Sequence, residues 1–475
     1  MKRKRSILLI LPNVVSLRDV IFTGLLNRLS VDFQVDIMCA AADKPNLRTY
    51  CEENGFGLYN TPEQKPGKFF AWLNPWLLAW VHWFGKQRIA RKGNIHTIQT
   101  EMEAERHRSP LKYYSKYLLS ILFFQFSPFF NLLLKAYKTS LDTSESVKLL
   151  AEISPATILI FDIFAPTHQH VIAAAEKTPF PMVAWIRSWD NLSAKGVILY
   201  HFHRYLVWND IMREELLTYY DHIPETIIDV IGGLVFDYHI RFLEEPEPES
   251  FLYREQIHGK KVITFMLNYP DLSPGYLEDV KTILAAIEDG KFGENTLFIV
   301  RIQPGPRSEG QFDKLKPFEN RILIDRWPAN PPDFSLDAWM INHRHFCQLV
   351  QYSDVLINYP STTTIDGAIY DVPSVTISFD GDGEKPYNQS VSRISKRTHY
   401  VPLANCGGNI IANSPEELTA GIQAYLENPQ LHQEERKLIL ERMCAGKVGK
   451  VGKEVASLMA DLYLPTSIHT NPKHA

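Results

Sequence analysis

Short β-branched runs followed by helix-forming stretches recur along the whole chain, and no other feature narrows its fold as much. Parallel strands cannot be joined by a tight hairpin and need a crossover, usually a helix, so this alternation specifies parallel sheets with covering helices. Ser6 to Leu11 reads as a strand, Asn13 to Asp19 as a loop, Val20 to Leu29 as a helix and Val35 to Cys39 as the next strand. Further on, Thr157 to Phe161 is a strand closing on Asp162, and Met182 to Ile186 is another, followed by Arg187, Ser188, Trp189, Asp190 and Asn191. Ligands of parallel sheets sit beyond the carboxyl ends of strands, so both polar clusters lie where chemistry is expected.

At 475 residues the chain exceeds one ordinary core. Glu244-Glu245-Pro246-Glu247-Pro248-Glu249 has no apolar periodicity and reads as a linker over 244–250. A second alternation follows it: strands at Lys260 to Met266, Thr296 to Val300, Ile322 to Ile324, Val355 to Ile357 and Ser374 to Ile377, with helices at Gly275 to Asp289, Cys347 to Gln351 and Ser361 to Tyr370. Pro415 to Leu426 is a further helix that Ser414 is placed to cap. The expected architecture is α/β: two Rossmann-like domains, 1–243 and 251–445, facing a central cleft, with a helix and tail over 446–475.

A helical, aromatic-rich insertion over about 65–150 breaks the first alternation. Phe69 to Phe84 is dense in Trp and Phe, and Leu118 to Leu134 is nearly all apolar but carries Ser120, Gln125, Ser127, Pro128 and Asn131. A spanning helix needs about 20 predominantly apolar residues, so a transmembrane segment is rejected. Two readings stay open: helices buried against the domain, or a surface bearing Trp72 and Trp76 that makes peripheral membrane contact beside Lys65, Lys68, Lys86, Arg88, Arg91 and Lys92.

The net charge of -4 and pI near 6.5 leave no basic footprint for nucleic acid. Five cysteines without CxxC spacing fit a reducing compartment and neither a disulfide framework nor a zinc site. The apolar run Ile7 to Leu11 is too short for a secretory signal. The expected location is therefore cytoplasmic, or peripheral at the inner face of the membrane.

The passage from Tyr352 to Val375, YSDVLINYPSTTTIDGAIYDVPSV, reads as strand, hydroxyl-rich turn, helix and strand. Ser361, Thr362, Thr363 and Thr364 open the helix, where free amides and the positive dipole end accept a phosphate, and Asp366 one turn on suits a ribose diol or sugar hydroxyls. Ser361 as an N-cap and Asp366 as a dipole-favoured acid is the alternative.

This passage resembles the donor-site turn of GT-B glycosyltransferases, with Asp366 where their Glu-Ala-Leu-x-x-Gly-x-Pro pattern holds Glu and Val372-Pro373 closing it. Related turns occur in non-hydrolysing UDP-N-acetylglucosamine epimerases and CDP-glycerol glycerophosphotransferases. Ser16-Leu-Arg18-Asp19, Arg187-Ser-Trp-Asp190-Asn191-Leu-Ser-Ala-Lys195-Gly196, Val207-Trp-Asn-Asp-Ile-Met-Arg-Glu214 and Ile231-Gly-Gly-Leu-Val-Phe-Asp237 extend the likeness, and the second is similar to a signature of bacterial surface-polysaccharide transferases.

The resemblance implies an acceptor domain first and a nucleotide-sugar donor domain second, with a glycan or lipid-linked acceptor, no cofactor and no metal. Asp380-Gly-Asp382 has Asp-x-Asp spacing but lies after a late strand, and is not read as a metal site. Such proteins often carry Arg-x-His-Pro where this chain has Arg301-Ile-Gln303-Pro304, and Arg301 is expected to meet the donor phosphates. Asp190, His168 and Asp162 are the candidate bases, with Asp190 the choice among them, and Arg18, Arg187, Asn191 and Lys195 the expected cleft contacts. Lys447, Lys450 and Lys453 lack the Walker ending and read as the start of a terminal helix packing back across the domains. Three classes remain: glycosyltransferase, sugar-nucleotide epimerase, and a binding protein without turnover.

Overall fold

The computed structural model describes residues 4–64, 74–93, 95–124, 127–244, 251–326, 335–381, 383, 385–386 and 390–463. Lys65, Lys68 and Trp72, most of the linker and Asp382 therefore lie outside the described residues. The first sheet holds β1 (Ser6–Leu11), β2 (Gln34–Cys39), β3 (Gly57–Asn60), β4 (Thr157–Phe161), β5 (Met182–Trp185), β6 (Arg204–Val207) and β7 (Ile228–Val230). Every pairing in it is parallel, in the order β3-β2-β1-β4-β5-β6-β7. The second holds β8 (Lys261–Met266), β9 (Thr296–Arg301), β10 (Leu323–Asp325), β11 (Val355–Asn358), β12 (Ser374–Ile377) and β13 (Ile410–Ala412), parallel in the order β10-β9-β8-β11-β12-β13.

Both orders reverse once, between β1 and β4 and between β8 and β11. Those reversals are the switch points where flanking crossovers part and leave a crevice. The strands read as near-continuous apolar runs because both faces are covered. One face of the first sheet packs Ile7, Leu9 and Leu11 with Leu17 and Val20 and with Val451, Val455 and Met459. The other packs Leu8 and Ile10 with the insertion's Val81, Ile89 and Ile98, in a core that extends to Ile365, Tyr400, Ile439 and Met443 of the second half. The halves thus share apolar surface as well as a cleft.

Local differences from the sequence reading have identifiable causes. Asn13 to Asp19 is not a loop. Asn13 accepts from the Ser16 amide at 2.9 Å and caps a helix over Val14–Phe22. Gly24, at φ 72°, ends that stretch and separates it from a second helix, Leu25–Leu29. Cys347 to Gln351 is only the last part of a helix over Leu336–Gln351, whose earlier turns carry His, Arg and Asn that dilute the apolar period.

The insertion is helical over Asn74–Gly93, His96–Arg108, Pro110–Phe124 and Ser127–Thr139. No described helix is long and apolar enough to cross a membrane. The helix Val451–Tyr463 returns to the first sheet, and Asp237 fixes its start by accepting from Gly449 N at 2.7 Å and Gly452 N at 3.0 Å. Gly232, at φ 90°, permits the close approach, since a Cβ there would stand 2.8 Å from Val451 Cγ2. Lys447 donates to the Val230 carbonyl at 2.8 Å and pairs with Glu454, so its ammonium serves this junction.

Candidate functional site

A cleft of about 460 Å³ opens at the second switch point, beyond the carboxyl ends of β8, β9 and β11, and reaches the first half at Arg18, Val235 and Tyr238. Of the residues expected from sequence, it gathers Arg18, Arg301, Ser361, Thr362, Thr363 and Asp366. Its other polar lining includes Asn268, Gln303, Arg307, Asn342 and His343, and Asp366 is the one carboxylate among the described lining residues. Each of its three arginines has an acidic partner, Asp19 for Arg18, Asp325 for Arg301 and Asp271 for Arg307, so the cleft presents directed N–H donors more than unbalanced charge.

The hydroxyl turn begins the short helix Thr363–Ile369, with Thr362 as N-cap. Ser361 Oγ accepts from the Thr363 amide at 3.3 Å. Thr364 departs from the expectation: it is 1% exposed and its hydroxyl accepts from Asn358 Nδ2 at 3.0 Å, so it braces β11 from beneath and does not line the cleft.

Asp366 is also not a free carboxylate. Its Oδ1 accepts from His239 Nε2 at 2.7 Å, and His239 Nδ1 stands 3.1 Å from the Tyr370 hydroxyl. His239 comes from the helix Asp237–Glu244 of the first half, so this buried pair joins the two halves at the base of the cleft. Burial opposes the His239 charge, but Cys347 and the Asp366 carboxylate more than offset it and raise its pKa to about 10. His239 stands two residues beyond the Ile231 to Asp237 run and no spacing rule singles it out.

Arg301 differs from the expectation as well. Its guanidinium forms a buried ion pair with Asp325, donates to Asn342 Oδ1 at 2.9 Å and lies 5.5 Å from the Phe346 ring centre. Asp325 also accepts from Tyr253 at 2.8 Å and His345 at 2.9 Å. Burial works against the Asp325 charge, yet Arg301 and His345 hold the carboxyl far below its usual range. Arg301 therefore meets the cleft with its charge already balanced. Arg307, with its guanidinium carbon 4.4 Å from the Tyr269 ring centre, pairs with Asp271 at the exposed lip.

In the first half Asp19 is the organising group, inside a run read for its neighbour. It is 4% exposed and accepts from Arg18 at 2.8 Å on one oxygen and from Arg187 at 3.0 Å on the other. Burial resists its ionisation, but the two guanidiniums prevail and lower its pKa. Arg187 is thus held through Asp19 and is outside the cleft lining. His343, from the second half, faces the cleft close to the rings of Phe22 and Tyr238. Its Nδ1 has no hydrogen-bond partner among the described residues, and burial followed by the Arg18 and Arg301 charges pushes its pKa well below the ordinary value.

The candidate bases are dispersed. Asp162 ends β4 at the first switch point in a left-handed conformation, φ 53°, with Lys195 Nζ 3.4 Å away. His168 is 1% exposed, its Nδ1 lies 3.0 Å from the Thr167 hydroxyl, and burial, then His170, lower its pKa to about 3, which makes it a weak base. Asp190 sits away from the cleft among Glu215, Arg397 and His399. Asn191 is fully buried, with neither polar side-chain atom paired among the described residues, and also lies outside the cleft. Asp380 accepts from the Val391 amide at 2.8 Å, and among the described residues no group of three His, Cys, Asp or Glu converges as a metal site.

No family model and no curated protein matches the sequence. Solved structures do. A UDP-N-acetylglucosamine 2-epimerase assignment from Listeria monocytogenes aligns at TM-score 0.58 and 11% identity, with 97% of each chain covered. The UDP-GlcNAc 2-epimerase of Neisseria meningitidis, bound to UDP-GlcNAc, aligns at 0.55 and 10%, covering 96% of this chain and 100% of that one. A glycosyltransferase from Rickettsia africae aligns at 0.51 and 11%, covering 96% and 98%. At such identities the likeness is one of fold: two Rossmann-like domains in the GT-B arrangement, which epimerases and glycosyltransferases share.

Proposed function

We propose that this chain is a glycosyltransferase that moves a sugar from a nucleotide-activated donor to a glycan or lipid-linked acceptor in surface polysaccharide biosynthesis, without a bound metal. The observation that carries the reading is the arginine-rich cleft at the second switch point, closed from the first half by Arg18. In this reading the departing nucleoside diphosphate is stabilised by Arg18 and Arg307 and by the amides and hydroxyls of Ser361, Thr362 and Thr363. Arg301, neutralised by Asp325, shapes the wall and supplies directed N–H donors. Asp366, with one oxygen taken by His239, offers the other to a sugar or ribose hydroxyl.

Asp162 is the best placed of the candidate bases, at the carboxyl end of β4 with Lys195 beside it. The epimerase reading rests on the same fold and cleft. It asks for acid and base groups on both sides of the bound sugar, and Asp366 is the lone carboxylate of the described lining. Asp162 lies outside that lining too, so the cleft serves both readings and the donor-only reaction separates them.

Calorimetry and thermal shift with UDP, GDP, CDP, CMP and dTDP test the donor site in wild type, Arg18→Ala and Ser361→Ala. Stabilisation by one nucleotide that weakens in both variants supports the site, and no response to any nucleotide overturns it. With the matching donor, product formed without acceptor means epimerisation, and binding without product means a binding protein in which Gln303 has replaced a needed His.

A further inference from the structure

We propose that the helical insertion between β3 and β4 docks on an anionic lipid bilayer through the outer face of the helix Pro110–Phe124. Leu111, Tyr114 and Leu118 are 90%, 55% and 59% exposed there, and their spacing of three and four places them on one stripe. Large apolar side chains in a row on a folded surface mark a contact face. Trp76 (64%) and Leu132 (63%) are exposed on the helices Asn74–Gly93 and Ser127–Thr139 of the same insertion.

Charge identifies the occupant. Between Asn74 and Thr139 the chain carries ten Lys and Arg against three Glu, although the whole protein carries -4. Arg108 and Lys112 border the stripe, Lys135 stands on the neighbouring helix, and all three are exposed without an ion pair among the described residues. Protein interfaces are depleted in lysine, whereas an anionic leaflet attracts it, so an apolar row edged by cations suits headgroups and acyl chains better than a protein partner. No described helix can span the bilayer, so the contact is one of lying on the surface. This surface centres on Leu111 to Leu118 and shares Trp76 with the one expected from sequence, whose Trp72 lies outside the described residues, and it stands independently of the transferase reading.

The test is co-sedimentation of the full chain with vesicles of phosphatidylcholine alone and with about 30% phosphatidylglycerol. The expected result is at least roughly tenfold stronger partitioning onto the anionic vesicles, reduced when salt is raised to about 0.5 M. Leu111→Asp with Leu118→Asp should lower it about tenfold or more with an unchanged melting temperature, since both side chains are exposed. Arg108→Gln with Lys112→Gln should remove most of the salt dependence. Failure to pellet with anionic vesicles, or equal pelleting of wild type and the double Asp variant, overturns the proposal. So does a concentration-dependent dimer, seen by light scattering, that the Asp variant dissolves, because the face then binds protein.

Discussion

Replacing His239 by Gln tests the junction at the base of the cleft. The histidine is fully buried and the Asp366 side chain nearly so, with 2.7 Å between nitrogen and oxygen. Removing one partner of such a pair leaves the other charge in a dry site, which costs about 3–5 kcal/mol. Linkage gives a second value. With the folded pKa raised to about 10 from an ordinary 6.5, the pair stabilises fully below pH 6.5 and the gain is lost as pH rises through 10. That interval corresponds to roughly 4–5 kcal/mol, which Cys347 and Asp366 share, so the Asp366 part is of the same order as the first figure. Urea unfolding followed by tryptophan fluorescence should therefore show wild type losing stability from pH 7 to 10 while His239→Gln, already weakened, changes much less. Asp366→Asn should weaken the protein similarly, and the double variant by less than the sum, with a coupling of about 2 kcal/mol or more. A coupling under about 0.5 kcal/mol, or matching pH profiles for wild type and variant, would refute the argument.

Glu215 is buried with Oε2 unpaired among the described residues, and burial, with Asp190 adding to it, raises its pKa to about 8. Its contribution is favourable below about pH 4.5 and is lost as pH rises through 8, so Glu215→Gln should stabilise the protein at pH 9 by up to roughly 4–5 kcal/mol in denaturant titrations. No gain at pH 9 would mean that the carboxylate is solvated. Gly408→Ala would place a Cβ 2.8 Å from the Arg436 amide nitrogen and the Glu435 carbonyl carbon, and should cost about 1–3 kcal/mol; a melting temperature within a degree or so of wild type would show that the backbone yields. Truncation before Val451 removes three fully buried side chains, Val451, Val455 and Met459, worth about 1.5–3 kcal/mol each, and should yield protein that binds a hydrophobic dye or aggregates.

The fold was legible because parallel strands buried on both faces write themselves as apolar runs, as at Ser6–Leu11 and Ser374–Ile377. Capping chemistry was legible where the cap preceded a clear period, as Ser414 accepting from Glu417 N at 3.2 Å shows. It was missed at Asn13, where Pro12 and an apolar start obscured the helix. Arg18 and the hydroxyl turn could be placed because a strand's end fixes where the following residues point. The partners of Asp366 and Arg301 could not, because His239 and Asp325 are brought in by folding across long sequence separations. Thr364 was misread for a related reason: adjacent hydroxyls look alike in sequence, and only the helix's rotation decides which faces the cleft.

The helix Val451–Tyr463 has a consequence for synthesis. It covers Ile7, Leu9 and Leu11, and the Tyr463 carbonyl accepts from Arg5 at 3.2 Å. On the ribosome, every strand of the first sheet emerges before β8 is made, yet the apolar face of that sheet stays partly uncovered until Tyr463 has left the exit tunnel. The amino-terminal half must therefore wait, sticky and incomplete, through translation of the entire second half. Cutting the gene at the linker would not release two independent domains, because one of them would be left without the piece that seals it.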